Sequence, residues 1–245
     1  MNSNSRIALI TGASRGLGKA LARQLANEGW TLLLTARGEA ALSETATEIG
    51  AHYLAGDVAD PHHRDRLTKK AHELGGLDLL VNNASSLGPT PLPKLADVYV
   101  DELAPLFTTN VFAPLALTQA ILPLVRARQG AIITISSDAA TEPYEQWGAY
   151  GSTKATLDQI ANVLGAEEPD IRVWAVEPSD MNTAMLHEAL GPAEAAGANP
   201  PQRPAAAIAH LIRLRPASGR VRALDFETES AQPHFEQLPT EVRPS

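Results

Sequence analysis

Along most of the chain, short apolar runs alternate with stretches in which apolar residues return at helical spacing. Ile7 to Ile10 is the first run, and it stops at a glycine-rich turn, Thr11 to Gly18. Leu17, Leu21 and Leu25 then recur at helical spacing up to Gly29, which reads as a C-capping glycine. Trp30 to Thr35 is a second run, followed by a polar helical stretch to Gly50 with Leu42 and Ile49 on its inner side. His52 to Ala55 reads as a third strand. Asp60-Pro61 opens another helix, with a side-chain acceptor at the N-cap and proline at the first helical position. Leu77 to Val81 is a fourth run.

The second half keeps this rhythm. Asp101 to Arg128 reads as one long helix, bent or re-bounded by Pro105, Pro114 and Pro123. Ala131 to Ile135 is strand-like, Ala149 to Ala166 helical, Ile171 to Val176 a strand and Pro204 to Leu214 a short helix. Val221 to Phe226 reads as a last, weaker strand. Nearly all-apolar strands separated by helices mark a parallel sheet covered on both faces. The prediction is one α/β domain over residues 1–226, a doubly wound parallel sheet of about seven strands with helices on both faces. Residues 227–245 are acidic, proline-punctuated and without clear periodicity. They read as a mostly disordered tail, with docking over a neighbouring subunit as the alternative.

Composition narrows the chemistry. The 245 residues are 44% hydrophobic and 20% charged, which argues against wholesale disorder and a fibrous architecture. Lys and Arg number 20 against 28 Asp and Glu, a formal charge of −8 that disfavours nucleic acid and acidic membrane surfaces as partners. With no cysteine, disulfides, Cys-ligated zinc, iron–sulfur clusters and thiol nucleophiles drop out together. His62-His63, beside Arg64 and Asp65 at a helix start, reads as a solvated face, and no histidine has metal-ligand spacing. Met1 to Arg6 lacks the apolar stretch of a signal peptide and no run approaches a bilayer span, so a soluble cytoplasmic protein is expected.

Candidate chemistry begins at the first turn. A strand ending in glycines and feeding a helix presents free backbone N–H groups and a positive dipole end to an anion. Tyr150 and Lys154 stand four apart on one helix face, where a cation beside a phenol favours the phenolate and makes a proton donor for a carbonyl. Ser137 ends a strand, and ligands of doubly wound sheets bind outside the carboxyl ends of strands. Taken singly, each of these is also compatible with an ordinary turn, a surface pair or a helix cap.

In order along the chain stand Thr11-Gly12-x-x-x-Gly16-x-Gly18, Asp57, Asn82-Asn83-Ala84, Asn110, Ser137, Tyr150-x-x-x-Lys154, and Pro178 to Thr183. This ordered set resembles the short-chain dehydrogenase/reductase family over roughly residues 5–226. The resemblance implies a Rossmann-type fold and a catalytic set of Asn110, Ser137, Tyr150 and Lys154. Tyr150 is implied as proton donor or acceptor, and Ser137 as hydrogen-bond partner of the substrate carbonyl. Lys154 is implied to lower the Tyr150 pKa and to grip the nicotinamide ribose. Asn110 is implied to hold a water that relays protons from Lys154.

The cofactor site implied by the same resemblance takes Gly12, Ser14, Arg15, Gly16, Leu17 and Gly18 from the turn, then Arg37, Asp57 and Val58. Asn83, Ala84 and Ser85 follow, then Pro178, Ser179, Met181 and Thr183, together with Tyr150 and Lys154. Asp57 is placed at the adenine, Asn83 near the adenine-side ribose and Thr183 at the nicotinamide carboxamide. Ser137, Trp147, Tyr150 and Met185 are placed at the substrate, and residues 184–203 form a mobile lid.

Cofactor choice has a physical argument of its own. NAD-binding members place an acidic residue after the second strand for the ribose 2′-hydroxyl. Here that strand ends Thr35-Ala36-Arg37, and Arg15 lies in the glycine turn. Two guanidinium groups and no carboxylate favour a 2′-phosphate, hence NADP(H). Ser85, Ala140 and Ser179 replace usual family glycines, which strains the chain wherever φ must be positive.

Asn82 to Gly88, Trp147 to Tyr150 and Glu167 to Val173 resemble the sepiapterin reductase and benzil reductase branch. Pterin-binding members use a C-terminal acidic residue, which Asp225-Phe226-Glu227 could supply. The expected activity is NADPH-dependent reduction of a small ketone or aldehyde without a metal, in a homodimer or homotetramer. The alternatives are a catalytically silent NADP(H)-binding sensor or scaffold, and NADP-dependent alcohol oxidation.

Overall fold

Successive side chains of a strand point to opposite sheet faces, and here both sets are apolar. In β1 (Ile7–Thr11), Ala8 and Ile10 enter one buried cluster while Ile7 and Leu9 enter another. The strands that follow are β2 (Thr31–Ala36), β3 (His52–Ala55), β4 (Leu79–Asn82), β5 (Ala131–Ile135), β6 (Arg172–Glu177) and β7 (Gly219–Arg222). They pair in parallel in the order β3-β2-β1-β4-β5-β6-β7. The computed structural model describes residues 5–227, so the tail beyond Glu227 lies outside the described residues.

Helices cover both faces. On one side α1 (Gly16–Asn27), α2 (Glu39–Ile49) and α9 (Gln202–Leu214) bury Leu21, Leu25, Leu42, Ile208 and Leu211 against the sheet. On the other, α3 (Pro61–Leu74), α5 (Ala113–Ala127) and α6 (Gly148–Glu167) bury Leu67, Leu117, Ile121 and Ala161. Asp60 caps α3 as expected: its carboxylate accepts the His62 N–H at 3.0 Å, and Pro61 takes the first helical position.

Several expectations are corrected. The expected long helix runs over Val100–Ala127, with a π-helical turn at Thr108–Phe112 joining α4 (Val100–Phe107) to α5. Pro114 has no N–H for the Asn110 carbonyl, so the α-helical ladder cannot pass through this point unbroken. The stretch Val100–Ala127, 28 residues with a mean hydropathy of 1.3 over its most apolar window, is by length and composition long and apolar enough to cross a membrane, contrary to the sequence reading. Within the fold 44% of that window is buried.

The last strand ends earlier than expected. Arg220 and Val221 pair with Ala175 and Val176, but Ala223–Phe226 is a 3-10 turn whose Phe226 carbonyl meets His210 Nδ1 of α9 at 2.8 Å. The segment expected as a lid contains two short helices, α7 (Ala184–Leu190) and α8 (Pro192–Ala195), with Thr183 capping α7. The strand order reverses between β1 and β4, which places the topological switch point, and with it the ligand crevice, at their carboxyl ends.

Candidate active site

At that edge lies a cavity of about 930 Å³, within the range of cofactor and small-molecule sites. Its floor begins at the glycine turn. Gly12 and Gly16 adopt φ of +65° and +56°, and a Cβ on Gly12 would lie 2.8 Å from Asn83 Nδ2. Arg15, extended, precedes α1 without any side-chain cap, so the N–H groups of the first helical turn stay open to the cavity. This cradle fits a dinucleotide pyrophosphate. Ser14 and Leu17 line it too, whereas Gly18 does not: a Cβ there would come within 2.4 Å of the Gly12 carbonyl oxygen, so its role is close helix–turn packing.

The turn is tied to β4. Thr11 Oγ1 accepts the N–H groups of Asn83 and Ala84, both at 2.9 Å. Asn83 Nδ2 donates to the carbonyls of Thr11 (2.8 Å) and Gly12 (3.1 Å), so this side chain shapes the turn. Arg37, Asp57 and Val58 line one end of the cavity. Arg15 and Arg37 are exposed, and neither guanidinium makes an ion pair among the described residues.

At the opposite end stand Ser137, Trp147, Tyr150 and Lys154, with Pro178, Ser179, Met181, Thr183 and Met185 along the wall. Trp147 packs edge-on against Tyr150, ring centroids 5.7 Å apart, and Met185 joins the same apolar cluster. Ser137 Oγ donates to Asp138 Oδ1 (3.0 Å) and accepts the Ala139 N–H (3.2 Å), so it caps a turn as well as facing the cavity. Burial pushes the Tyr150 phenol above its ordinary value; the Ser85 hydroxyl opposes this and the Asp138 charge reinforces it. Lys154 Nζ donates to the Ile135 carbonyl at 2.7 Å and lies 5.4 Å from the Tyr150 ring centroid. Burial lowers the Lys154 ammonium to about 8, with Asp158 pulling it back up.

Asn110 lies behind the cavity. Its amide donates to the Ser86 carbonyl (2.8 Å) and Thr153 Oγ1 (3.1 Å), and its oxygen accepts the Ser86 N–H (2.8 Å) and Ser85 Oγ (3.3 Å). That exhausts the side chain. The expected water relay therefore has only the main-chain carbonyl of Asn110 to use.

These features coincide with a family model described as short chain dehydrogenase, which matches residues 6–192. The chain belongs to the short-chain dehydrogenase/reductase family. It is 35% identical over 206 residues to a sepiapterin reductase of Xenopus laevis, spanning 75% of this chain and 76% of that one. It is 34% identical over 202 residues to an (S)-benzoin-forming benzil reductase of Saccharomyces cerevisiae, spanning 76% and 77%. A solved short chain dehydrogenase from Shigella flexneri, complexed with NADP, superposes with a TM-score of 0.83 at 26% identity over 89% of this chain and 96% of its own. The chain is thus an oxidoreductase of the sepiapterin reductase and benzil reductase-like branch.

Against this family background one expectation fails. Asp225 to Glu227 does not reach the cavity; Glu227 is paired with Arg203 at 2.5 and 2.9 Å. Of the three glycine replacements, Ser179 alone among them has positive φ, +67°, with its N–H donated to the Glu177 carboxylate. The carboxylates lining the cavity on the Ser137 side are instead Asp138, Glu145, Glu177 and Asp180, and burial, then Asp138, raises the Asp180 pKa. Sequence reasoning passed over them, although Asp138 directly follows Ser137.

Proposed function

We propose that this protein is an NADP(H)-dependent carbonyl reductase acting on small ketones or aldehydes, including vicinal dicarbonyls. What carries the reading is the convergence on one cavity of an uncapped α1 N-terminus, two arginines without an ion pair among the described residues, and the Tyr150–Lys154 helix face. Arg15 and Arg37 would hold the 2′-phosphate, and the Gly12–Gly16 turn the pyrophosphate. When bound, the dinucleotide supplies a hydride to the carbonyl carbon.

The chain supplies the rest. Ser137 turns its one hydroxyl proton from Asp138 to the carbonyl oxygen, and Tyr150 delivers its phenolic proton to the same atom. A buried, protonated phenol is the donor form, and the Lys154 ammonium stabilises the phenolate left behind. Met185, Trp147 and Leu87 form an apolar wall that fits the body of such a substrate and excludes water.

The test is loss of NADPH absorbance with a panel of diketones, quinones and aldehydes. Turnover with a dicarbonyl is expected. Tight NADPH binding without turnover on any of them would replace this reading with a silent sensor.

A further inference from the structure

His63 of α3 falls at a position that the chain pattern assigns to a solvated face, yet it is wholly buried. An imidazole leaves water at low cost only when both ring nitrogens find partners, and here both do. Arg66 Nη2 lies 2.9 Å from Nδ1, and Thr35 Oγ1 lies 2.7 Å from Nε2. A guanidinium can only donate, so Nδ1 is the acceptor. The ring proton therefore sits on Nε2 and is donated to the Thr35 hydroxyl. Burial, and next the Arg66 charge, hold this imidazole neutral against the pull of Asp60 and Asp57.

The ring is also a steric stop. A Cβ on Gly56 would lie 2.4 Å from His63 Nδ1, so the loop after β3 can rest on the imidazole only through a glycine. Gly56 donates its N–H to the Ala36 carbonyl at 3.0 Å, and Thr35 accepts the Ala13 N–H at 3.1 Å. One imidazole thus touches the ends of β2 and β3 directly and reaches the glycine turn through Thr35. Just beyond these contacts come Arg37, Asp57 and Arg15, all of which line the cavity.

We propose that His63 is a positioning residue for the adenosine 2′-phosphate end of the site, setting the spacing of the loops that carry Arg15, Arg37 and Asp57 without touching the ligand. This rests on the NADP(H) reading above. Its neutral, Nε2-protonated form is the one that joins Thr35 to Arg66 across the loop junction.

Titration calorimetry of the whole protein with adenosine 2′,5′-bisphosphate reads the adenosine half of the site without the nicotinamide half. His63→Leu keeps bulk and deletes both hydrogen bonds; it should weaken that binding roughly tenfold while kcat at saturating NADPH stays within about twofold. His63→Gln retains an amide that can donate to Thr35 and should recover most of the affinity. Thr35→Val removes only the hydroxyl partner and should weaken binding in the same direction, which keeps the test sound if His63→Leu does not fold. Wild-type bisphosphate affinity in Thr35→Val and in folded His63→Leu overturns the proposal, as does a loss confined to kcat. If the wild-type protein itself fails to bind the bisphosphate, the cofactor reading falls and this inference falls with it.

Discussion

Arg220 and Asp158 form an ion pair directly behind the candidate active site, with Arg220 Nε donating to Asp158 Oδ2 at 2.9 Å. The same guanidinium donates from Nη2 to the Ser137 carbonyl at 3.1 Å. One side chain of β7 therefore joins the strand end that carries Ser137 to the helix that carries Tyr150 and Lys154. Arg220→Met deletes both contacts and leaves Asp158, whose Oδ1 has no partner among the described residues, with neither oxygen satisfied. Unfolding in urea should show a loss of about 1–3 kcal/mol, and kcat should drop several-fold with the NADPH KM unchanged. Unaltered stability together with unaltered kcat would contradict this arrangement.

Asp158 also sets the charge of Lys154. A cation whose pKa is lowered is charged below that value and neutral above it. Lys154, brought down to about 8, is an ammonium at neutral pH and loses its charge as pH rises past that point. Proton delivery by Tyr150 needs the ammonium, so kcat/KM for reduction should fall on the alkaline side with a midpoint near 8. Asp158→Asn removes the group that pulls the ammonium up, and the midpoint should move toward lower pH. An alkaline limb that stays in place in Asp158→Asn would contradict the assignment.

Arg15 and Arg37 line one end of the cavity and make no ion pair among the described residues. If they hold a 2′-phosphate, the double variant Arg15→Ala/Arg37→Ala loses charge-assisted hydrogen bonds that NADH never makes. Its KM for NADPH should rise roughly a hundredfold, and that for NADH by less than about threefold. Equal losses for the two cofactors would refute the phosphate argument.

The fold was legible because its strands are nearly all apolar and its helices are punctuated by glycine, proline and Asp60. The strand positions follow from local chemistry of that kind, and the cavity-lining motif residues from the family resemblance that their order along the chain carries. The exceptions have non-local causes. Pro114 marks the π-turn of the long helix locally, but the Asn110 side chain at that turn is held by Ser86 and Thr153, partners remote in sequence. The last strand stops where α9 takes the Phe226 carbonyl. His63 looked solvated because its neighbours are charged, and its burial depends on Thr35, Gly56 and Arg66 meeting in space. Arg220 carried no local signal, since only the sheet order brings β7 beside β6 and within reach of Ser137. The Ser179 strain, by contrast, was readable from its replacement of a family glycine.

The central claim is that Tyr150 delivers the proton. Tyr150→Phe keeps the ring that packs on Trp147 and removes only the hydroxyl. Steady-state reduction of a dicarbonyl by this variant, measured beside NADPH affinity, tests the claim most directly. The account predicts turnover lower by about a thousandfold with NADPH affinity within about twofold of wild type. Turnover retained in Tyr150→Phe would contradict it.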